Sequence, residues 1–259
     1  MTVMKPLLAI DTSVPVARVA VFDMDAPHGG EGDAALLAAG EQAATRHSSS
    51  LLPLCDRVLR AAQVPAASLA AIACGSGPGS FTGLRVGLSV AKGLCLGTGA
   101  PLLLVSSLEA LAHDLWREAG ERAVSAGAAC VPCLDAGKDQ VYAALFRPEA
   151  AGLARASEDW ALAADDLCDR LRDQALVIVG GTGAERAGAC FDEKLGRRGV
   201  RLAVAGPTAL SVGRLALAQW RRGLPAADLE TSVPAYGRAP DITTPKKKPP
   251  PPPRRNPPR

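Results

Sequence analysis

The feature that most constrains the fold of this chain is a pattern that occurs twice. An apolar strand closes on an aspartate, a turn follows, and a second apolar strand comes next. One copy places Asp11 eleven positions before Phe22, and the other places Asp135 eleven positions before Phe146. Each copy predicts a β-hairpin with an acidic residue at the turn.

A second pair of similar segments follows in the same order. Residues Ile72–Gly77 and Ile178–Gly183 are each an apolar strand that enters a Gly-(Ser/Thr)-Gly turn. The matching order predicts an α/β protein with two duplicated domains around a cleft, although coincidence of short apolar strands is an alternative. We expect the domains at 1–110 and 111–244, with the final helix packing back on the first, and a disordered tail at 245–259.

The net charge of +3 comes from the end of the chain. The last 15 residues hold six of the 29 Lys and Arg and no acid, so residues 1–244 carry a net charge of −3. A folded basic groove for nucleic acid is therefore not indicated, and 3% aromatic residues argue against a base-stacking surface. The Pro/Lys/Arg tail is either a solvated segment or a contact for RNA phosphates.

Several classes of protein are disfavoured. No apolar run approaches the roughly 18 residues of a membrane span, and Leu7–Ile10 is too short for a signal-peptide core. An odd number of cysteines, seven, predicts reduced thiols in a cytoplasmic protein. None of the three histidines has a partner at ligand spacing, and pleating would separate Cys130 from Cys133, so we expect no metal site.

Two helices, over 50–62 and 82–97, are predicted after these strands, with Ser50 and Thr82 as their caps. The second helix is apolar on nearly all sides and has small residues every four positions. Such a helix must be buried on nearly all sides, either inside this chain or against a partner. Further helices are expected over 108–119, 164–173 and 210–222.

The segment Gly75–Gly87 is the strongest local signal, because a strand ends, backbone N–H groups become available and a helix begins. That geometry can bind an anion, but a structural tight turn is equally open, and neither a P-loop nor a dinucleotide spacing is present. Asp11 could orient a metal-bound phosphate or a water, or could simply accept turn N–H bonds. The candidate phosphate contacts are Asp11, Thr12, Ser13, Gly77, Gly79, Ser80 and Arg85.

These motifs resemble those of the bacterial TsaB (YeaZ) family. The resemblance covers about residues 5–244 and is carried by L-L-A-I-D-T-S at 7–13, R-H-S at 46–48, the glycine block at 75–94 and V-P-A-Y-G-R at 233–238. It implies an actin/hexokinase/Hsp70-like (ASKHA) fold. It also implies a role in forming threonylcarbamoyladenosine in tRNA beside the anticodon, together with a TsaD-like catalytic paralogue and a TsaE-like ATPase.

The resemblance also implies that this chain is not the enzyme. The paralogue carries two metal-binding histidines four positions apart, and the equivalent positions here are Ser107 and Leu111. A leucine cannot coordinate a metal and a hydroxyl alone is a weak ligand, so no catalytic or metal-binding residue is expected. A stand-alone actin-fold ATPase, a glycoprotease-like metallopeptidase and direct tRNA binding remain as alternatives.

In the family, one helical face of the first domain packs against the same face of the partner, and without the partner that face can support a homodimer. We expect Gly87→Leu or Val90→Asp to abolish the complex and leave the fold intact. No cofactor is expected on the chain alone, whereas ATP or ADP is expected at the boundary of the complex. The predicted interface residues are Leu52, Leu59, Gly83, Val86, Gly87, Val90, Ala91 and Leu94.

Overall fold

The computed structural model describes residues 4–26, 35–43, 47–125, 127–149 and 152–237. The tail predicted at 245–259 lies outside these residues, as do Arg46 and Arg238 of the motifs and His28. The longest helix in this part of the chain is not apolar enough to cross a membrane, and no other described helix is either.

The first sheet has five strands in the order β3-β2-β1-β4-β5. Strand β1 pairs antiparallel with β2 and parallel with β4, and β5 continues the parallel side. Every residue of β1 is buried, because helices cover both faces of the sheet. The strands are β1 (Pro6–Val14), β2 (Val16–Asp23), β3 (Leu36–Ala43), β4 (Ala71–Gly77) and β5 (Leu102–Ser106).

Helices lie on both faces of this sheet, and the pleat of β1 decides which core each residue joins. Leu8 and Ile10 face one core, which includes α1 (His47–Ala61) and α2 (Phe81–Thr98). Leu7 and Ala9 face the other core, which α7 (Ala209–Arg221) closes together with part of α3 (Ser107–Ser125). The last helix of the chain thus packs on the first sheet.

The second sheet repeats the order of the first, as β10-β7-β6-β11-β12. Again one central strand pairs antiparallel on one side and parallel on the other. This duplicated topology is that of the actin/hexokinase/Hsp70-like fold. The strands are β6 (Ala129–Gly137), β7 (Gln140–Ala143), β10 (Trp160–Ala163), β11 (Val177–Gly180) and β12 (Gly199–Arg201), with β8 (Phe146–Glu149) and β9 (Gly152–Arg155) as a hairpin beside β6.

Short helices complete the second half: α4 (Ala164–Arg170), α5 (Thr182–Arg186) and α6 (Gly188–Leu195). Some predicted boundaries were wrong. The second strand of the second hairpin ends at Ala143, because the chain leaves it to start β8. Helix α1 begins at His47, so Ser50 lies within it and is not its cap. Ser80, not Thr82, caps α2 by accepting a hydrogen bond from the Gly83 amide.

Candidate functional site

The glycine loop packs directly on the end of β1. The Ser80 amide donates to the Ser13 carbonyl at 2.7 Å, and the Thr12 hydroxyl donates to the Gly83 carbonyl at 2.8 Å. At Gly79, which has φ 153°, an added Cβ would lie 2.4 Å from the Ser13 carbonyl oxygen. Only glycine permits this approach of the loop to the strand.

The structure brings most of the predicted phosphate contacts together, but their hydrogen-bonding groups largely satisfy one another. The Gly77 amide donates to the Ser107 hydroxyl at 3.2 Å, and the Gly83 amide donates to the Ser80 hydroxyl at 3.2 Å. With the Ser80 amide, three amides of the loop are therefore engaged inside the chain. These three amides are not available to an anion in this conformation, and the contacts favour the structural turn, one of the two alternatives that the sequence left open.

Asp11 is the most unusual polar residue of this region. Its carboxylate is fully buried, and Oδ1 accepts from the Ser13 amide at 3.1 Å and from the Ser13 hydroxyl at 2.8 Å. Oδ2 has no hydrogen-bond partner among the described residues. A Cβ at Gly75 would lie 2.3 Å from Oδ2, so β4 must have a glycine at this position. Burial raises the pKa of Asp11 to about 6, although the Ser13 hydrogen bonds oppose the shift.

Asp135, the equivalent aspartate of the second hairpin, forms an ion pair with an arginine of the same chain. Nη1 of Arg186 donates to both carboxylate oxygens of Asp135, at 3.1 and 3.0 Å, and Nη2 donates to Asp139 at 3.1 Å. The Thr182 hydroxyl accepts from the Asp135 amide at 3.1 Å. In this conformation, Arg186 is paired with Asp135, and the Thr12 and Ser13 hydroxyls donate within the chain, so these groups do not fit the phosphates of ATP or ADP.

Four of the predicted interface residues face the interior of the chain. A Cβ at Gly83 would lie 2.0 Å from the Thr12 carbonyl oxygen, and one at Gly87 would lie 2.2 Å from the Thr12 hydroxyl. Ala91 and Leu59 are buried in the first core. The prediction that these four residues face a partner was therefore wrong, because they hold α1 and α2 against the chain's own sheet. Gly87→Leu would disturb the fold itself.

The other four predicted interface residues are half-buried or exposed. Val86, Val90 and Leu94 are half-buried and pack at the margin of the first core. Leu52 on α1 is exposed over 53% of its surface. Of the eight predicted residues, which all lie in the described part of the chain, Leu52 alone is exposed.

The outward face of α2 carries a second stripe of small residues that sequence analysis missed. Ser89, Gly93 and Gly97 are exposed at intervals of four, and a Cβ at either glycine would meet nothing within 4 Å. Leu96 beside them is 76% exposed. The signal was present as the same spacing of four, but the sequence alone did not tell which stripe the sheet covers.

The C-terminal strap, residues 228–237, runs beside this face. The Ala235 amide donates to the Ser76 carbonyl at 2.7 Å, which joins the strap to the glycine loop. Nε of Arg85 donates to the Tyr236 hydroxyl at 2.8 Å, and its guanidinium carbon lies 3.8 Å from the centroid of the Phe81 ring. The two most distinctive sequence motifs of the chain therefore meet in space.

Helix α3 holds, one turn apart, the two residues that stand where the paralogue is expected to have histidines. The Ser107 hydroxyl is buried and accepts from the Gly77 amide, and Leu111 is fully buried in the core between α3 and the second sheet. Within the described ranges, no group of three His, Cys, Asp or Glu side chains is placed to hold a metal ion.

Comparisons with known proteins point in one direction. The family model described as "TsaD: tRNA N6-adenosine threonylcarbamoyltransferase" matches residues 39–178. The tRNA threonylcarbamoyladenosine biosynthesis protein TsaB of Escherichia coli (strain K12) is 32% identical over 147 residues, 57% of this chain and 57% of that protein. The protein of the same name from Haemophilus influenzae is 34% identical over 138 residues, 52% of this chain and 51% of that protein.

A transferase is similar over a shorter stretch. The tRNA N6-adenosine threonylcarbamoyltransferase of Erythrobacter litoralis is 36% identical over 104 residues, 40% of this chain and 28% of that protein. The chain spans about half the length of the curated TsaB relatives it matches. Among solved structures, YeaZ from Pseudomonas aeruginosa superposes with a TM-score of 0.72 at 28% identity, over 90% of this chain and 100% of that one.

Proposed function

Because the chain belongs to the TsaB (YeaZ) family, we propose that it is a noncatalytic subunit required to form threonylcarbamoyladenosine in tRNA next to the anticodon. The proposal rests on the likeness to TsaB proteins together with the nature of Ser107 and Leu111. One is a buried hydroxyl engaged with the glycine loop and the other is a core leucine, so neither is suited to bind a metal.

The chain acts by binding and activating a catalytic paralogue of the TsaD type. We assign the docking surface to the outward face of α2 around Ser89, Gly93 and Leu96, and we include the exposed Leu52 of α1. Small residues let a partner helix approach closely, and the exposed leucines supply apolar area that water would otherwise cover. In the absence of the paralogue, the same face pairs with a second copy of the chain.

Other partners reach the assembly through the catalytic subunit. We propose that the TsaE-type ATPase and the tRNA bind there and that the assembly works in the cytoplasm. The body of this chain has a net charge of −3, which disfavours a direct contact with tRNA. We place ATP or ADP at the boundary between subunits, since the hairpins of this chain are held by internal groups. Calorimetric titration with ADP should give heat with the complex and none with this chain alone.

The docking surface is tested by Ser89→Arg, which puts a long cation on the outward face of α2. We expect the affinity for the TsaD-type partner to fall by roughly 100-fold, because a buried, unpaired charge is costly. The matched control is Glu193→Arg on α6, another exposed helical position. Size-exclusion chromatography and calorimetry measure both. Equal binding by the two variants would refute this assignment of the surface.

The functional role is tested by reconstitution. Partner proteins, tRNA, ATP, threonine and bicarbonate are combined with and without this chain, and the modified nucleoside is quantified by mass spectrometry. We expect modification only when the chain is present, and none from the chain alone. Modification by the chain alone would contradict the noncatalytic role. Phosphate release by the purified chain would instead favour the stand-alone ATPase.

A further inference from the structure

Two cysteines of the second half lie close together on neighbouring helices. The sulfur atoms of Cys168 on α4 and Cys190 on α6 are 4.0 Å apart. The other five cysteines and Cys168 are buried, whereas Cys190 is partly exposed. The partly exposed thiol of Cys190 therefore has the buried thiol of Cys168 as a near neighbour.

A pocket gives small molecules access to Cys190. It has a volume of about 290 Å³ and is lined by residues that include Asp139, Asp165, Arg186 and Cys190. The Cys190 thiol donates to Oδ1 of Asp165 at 3.2 Å, and Nζ of Lys194 lies 2.7 Å from the same oxygen. These contacts fix the Cys190 side chain at the pocket wall, with its sulfur within reach of Cys168.

We propose that Cys190 is a site of oxidation by peroxides and that Cys168 resolves it to a reversible Cys168–Cys190 disulfide. In the first step, the Cys190 sulfur attacks one peroxide oxygen, the O–O bond breaks, and a sulfenic acid and one water form. In the second step, the Cys168 sulfur attacks the Cys190 sulfur, the S–O bond breaks and a second water leaves. Two thiols lose two electrons and two protons, and hydrogen peroxide is reduced to two waters.

The geometry needs little change for this bond. A disulfide has sulfur atoms about 2 Å apart, so the two sulfurs must approach each other by roughly 2 Å through side-chain rotation. Burial, and then the Asp165 hydrogen bond, raise the pKa of Cys190 to about 12. The thiolate is therefore scarce at neutral pH, which makes the reaction slow. Selectivity comes from access, because the remaining thiols are buried.

The test exposes the full-length chain to hydrogen peroxide, blocks remaining thiols with N-ethylmaleimide and maps peptides without reduction. We expect one linked pair, Cys168 with Cys190, that dithiothreitol reverses, and a higher melting temperature of the oxidised form. Linkage between other cysteines, or both thiols recovered as blocked adducts, would overturn the proposal.

Single variants separate the two roles. Cys168→Ser should leave Cys190 as a sulfenic acid that a dimedone probe labels, and Cys190→Ser should remove both the label and the linkage. Cys55→Ser, in the first core, serves as the control and should leave the linkage unchanged. Dimedone labelling of Cys168 in the Cys190→Ser protein would mean that peroxide attacks Cys168 itself. That result would contradict the proposed order of the two steps.

Discussion

At the scale of single residues, Gly83 is the point where helix α2 touches the end of β1. Replacing it with alanine would place a Cβ 2.0 Å from the Thr12 carbonyl oxygen, and backbone atoms must then move. We expect Gly83→Ala to lower the free energy of unfolding by about 1–3 kcal/mol, as overpacking does in other cores. Urea denaturation of the purified variant measures the change.

The same helix supplies the control. Gly93 faces outward with nothing within 4 Å of an added Cβ. Gly93→Ala should raise the free energy of unfolding by about 0.5–1 kcal/mol, because alanine is the better helix former. If both substitutions changed stability in the same direction, the contact of Gly83 with Thr12 would not be the tight one described here.

Asp11 makes stability depend on pH. Its pKa of about 6, against the ordinary 3.8, means that the native state keeps a proton that the unfolded chain has lost between these values. Stability therefore falls as pH rises through this window, by about 3 kcal/mol in full, and stays low above it. Other groups contribute too, so the comparison is with Asp11→Asn, which does not titrate.

The difference between the two proteins isolates the carboxylate. Between about pH 4 and pH 8, the free energy of unfolding of Asp11→Asn should rise relative to that of the parent by about 3 kcal/mol. Urea titrations at several pH values give this difference directly. A difference that does not change with pH would mean that the Asp11 carboxylate is not desolvated.

At the scale of elements, the C-terminal strap contacts α2 through Arg85, whose guanidinium packs against the rings of both Phe81 and Tyr236. Arg85→Ala removes both the stack on Phe81 and the hydrogen bond to Tyr236. We expect the Ala235 amide, which bonds to the Ser76 carbonyl, to exchange with deuterium about tenfold faster, because the strap opens more often. Hydrogen-exchange mass spectrometry reports the rate.

An equivalent arginine in the second half tests whether the effect is local. Arg170 lies over the ring of Trp160, with its guanidinium carbon 5.4 Å from the ring centroid. Arg170→Ala should leave exchange in the strap unchanged. Faster exchange of Ala235 in both variants would indicate a general loss of stability instead of opening of the strap.

The elements themselves were largely readable from the sequence. Leu84, Leu88 and Cys95 of α2 follow a helical period in the sequence, and all three are buried. The two hairpins that contain Asp11 and Asp135 were also predicted, since apolar strands and turn residues are local signals. The outward stripe was misassigned because both stripes have the same spacing. Only the approach of Thr12, which is distant along the chain, decides between them.

Side-chain partners could not be predicted in the same way. The bond from Arg186 to Asp135 joins residues 51 positions apart, and that from Arg85 to Tyr236 joins residues 151 apart. No local pattern marks such pairs, because they depend on how the whole chain is folded. The candidate phosphate site was predicted from types of residue that are common to anion sites and tight turns, and hydrogen-bond partners separate these two cases.

At the scale of the whole molecule, the two halves are not independent. Helix α7, which follows the second sheet in sequence, fills the core of the first through Val212 and Ala216 against Leu7 and Phe22. Removing residues 206–259 should therefore abolish cooperative thermal unfolding, because one face of the first sheet would be exposed to water.

The matched deletion removes only residues 245–259. Their composition of Pro, Lys and Arg cannot build a core, so the melting temperature should stay within about 2 °C of the parent. Calorimetry compares the two shortened proteins. Cooperative unfolding of the protein that ends at residue 205 would show that α7 is dispensable for the first sheet.

The position of α7 also bears on how the protein is made. A ribosome delivers residues 6–106 early, yet their sheet lacks the cover for one face until residue 221 has emerged from the exit tunnel. The seven strands and three helices of 129–201 are contiguous by contrast, and their sheet can close while synthesis continues. We therefore expect the first sheet to complete its packing after the second, although the ribosome makes the first sheet earlier.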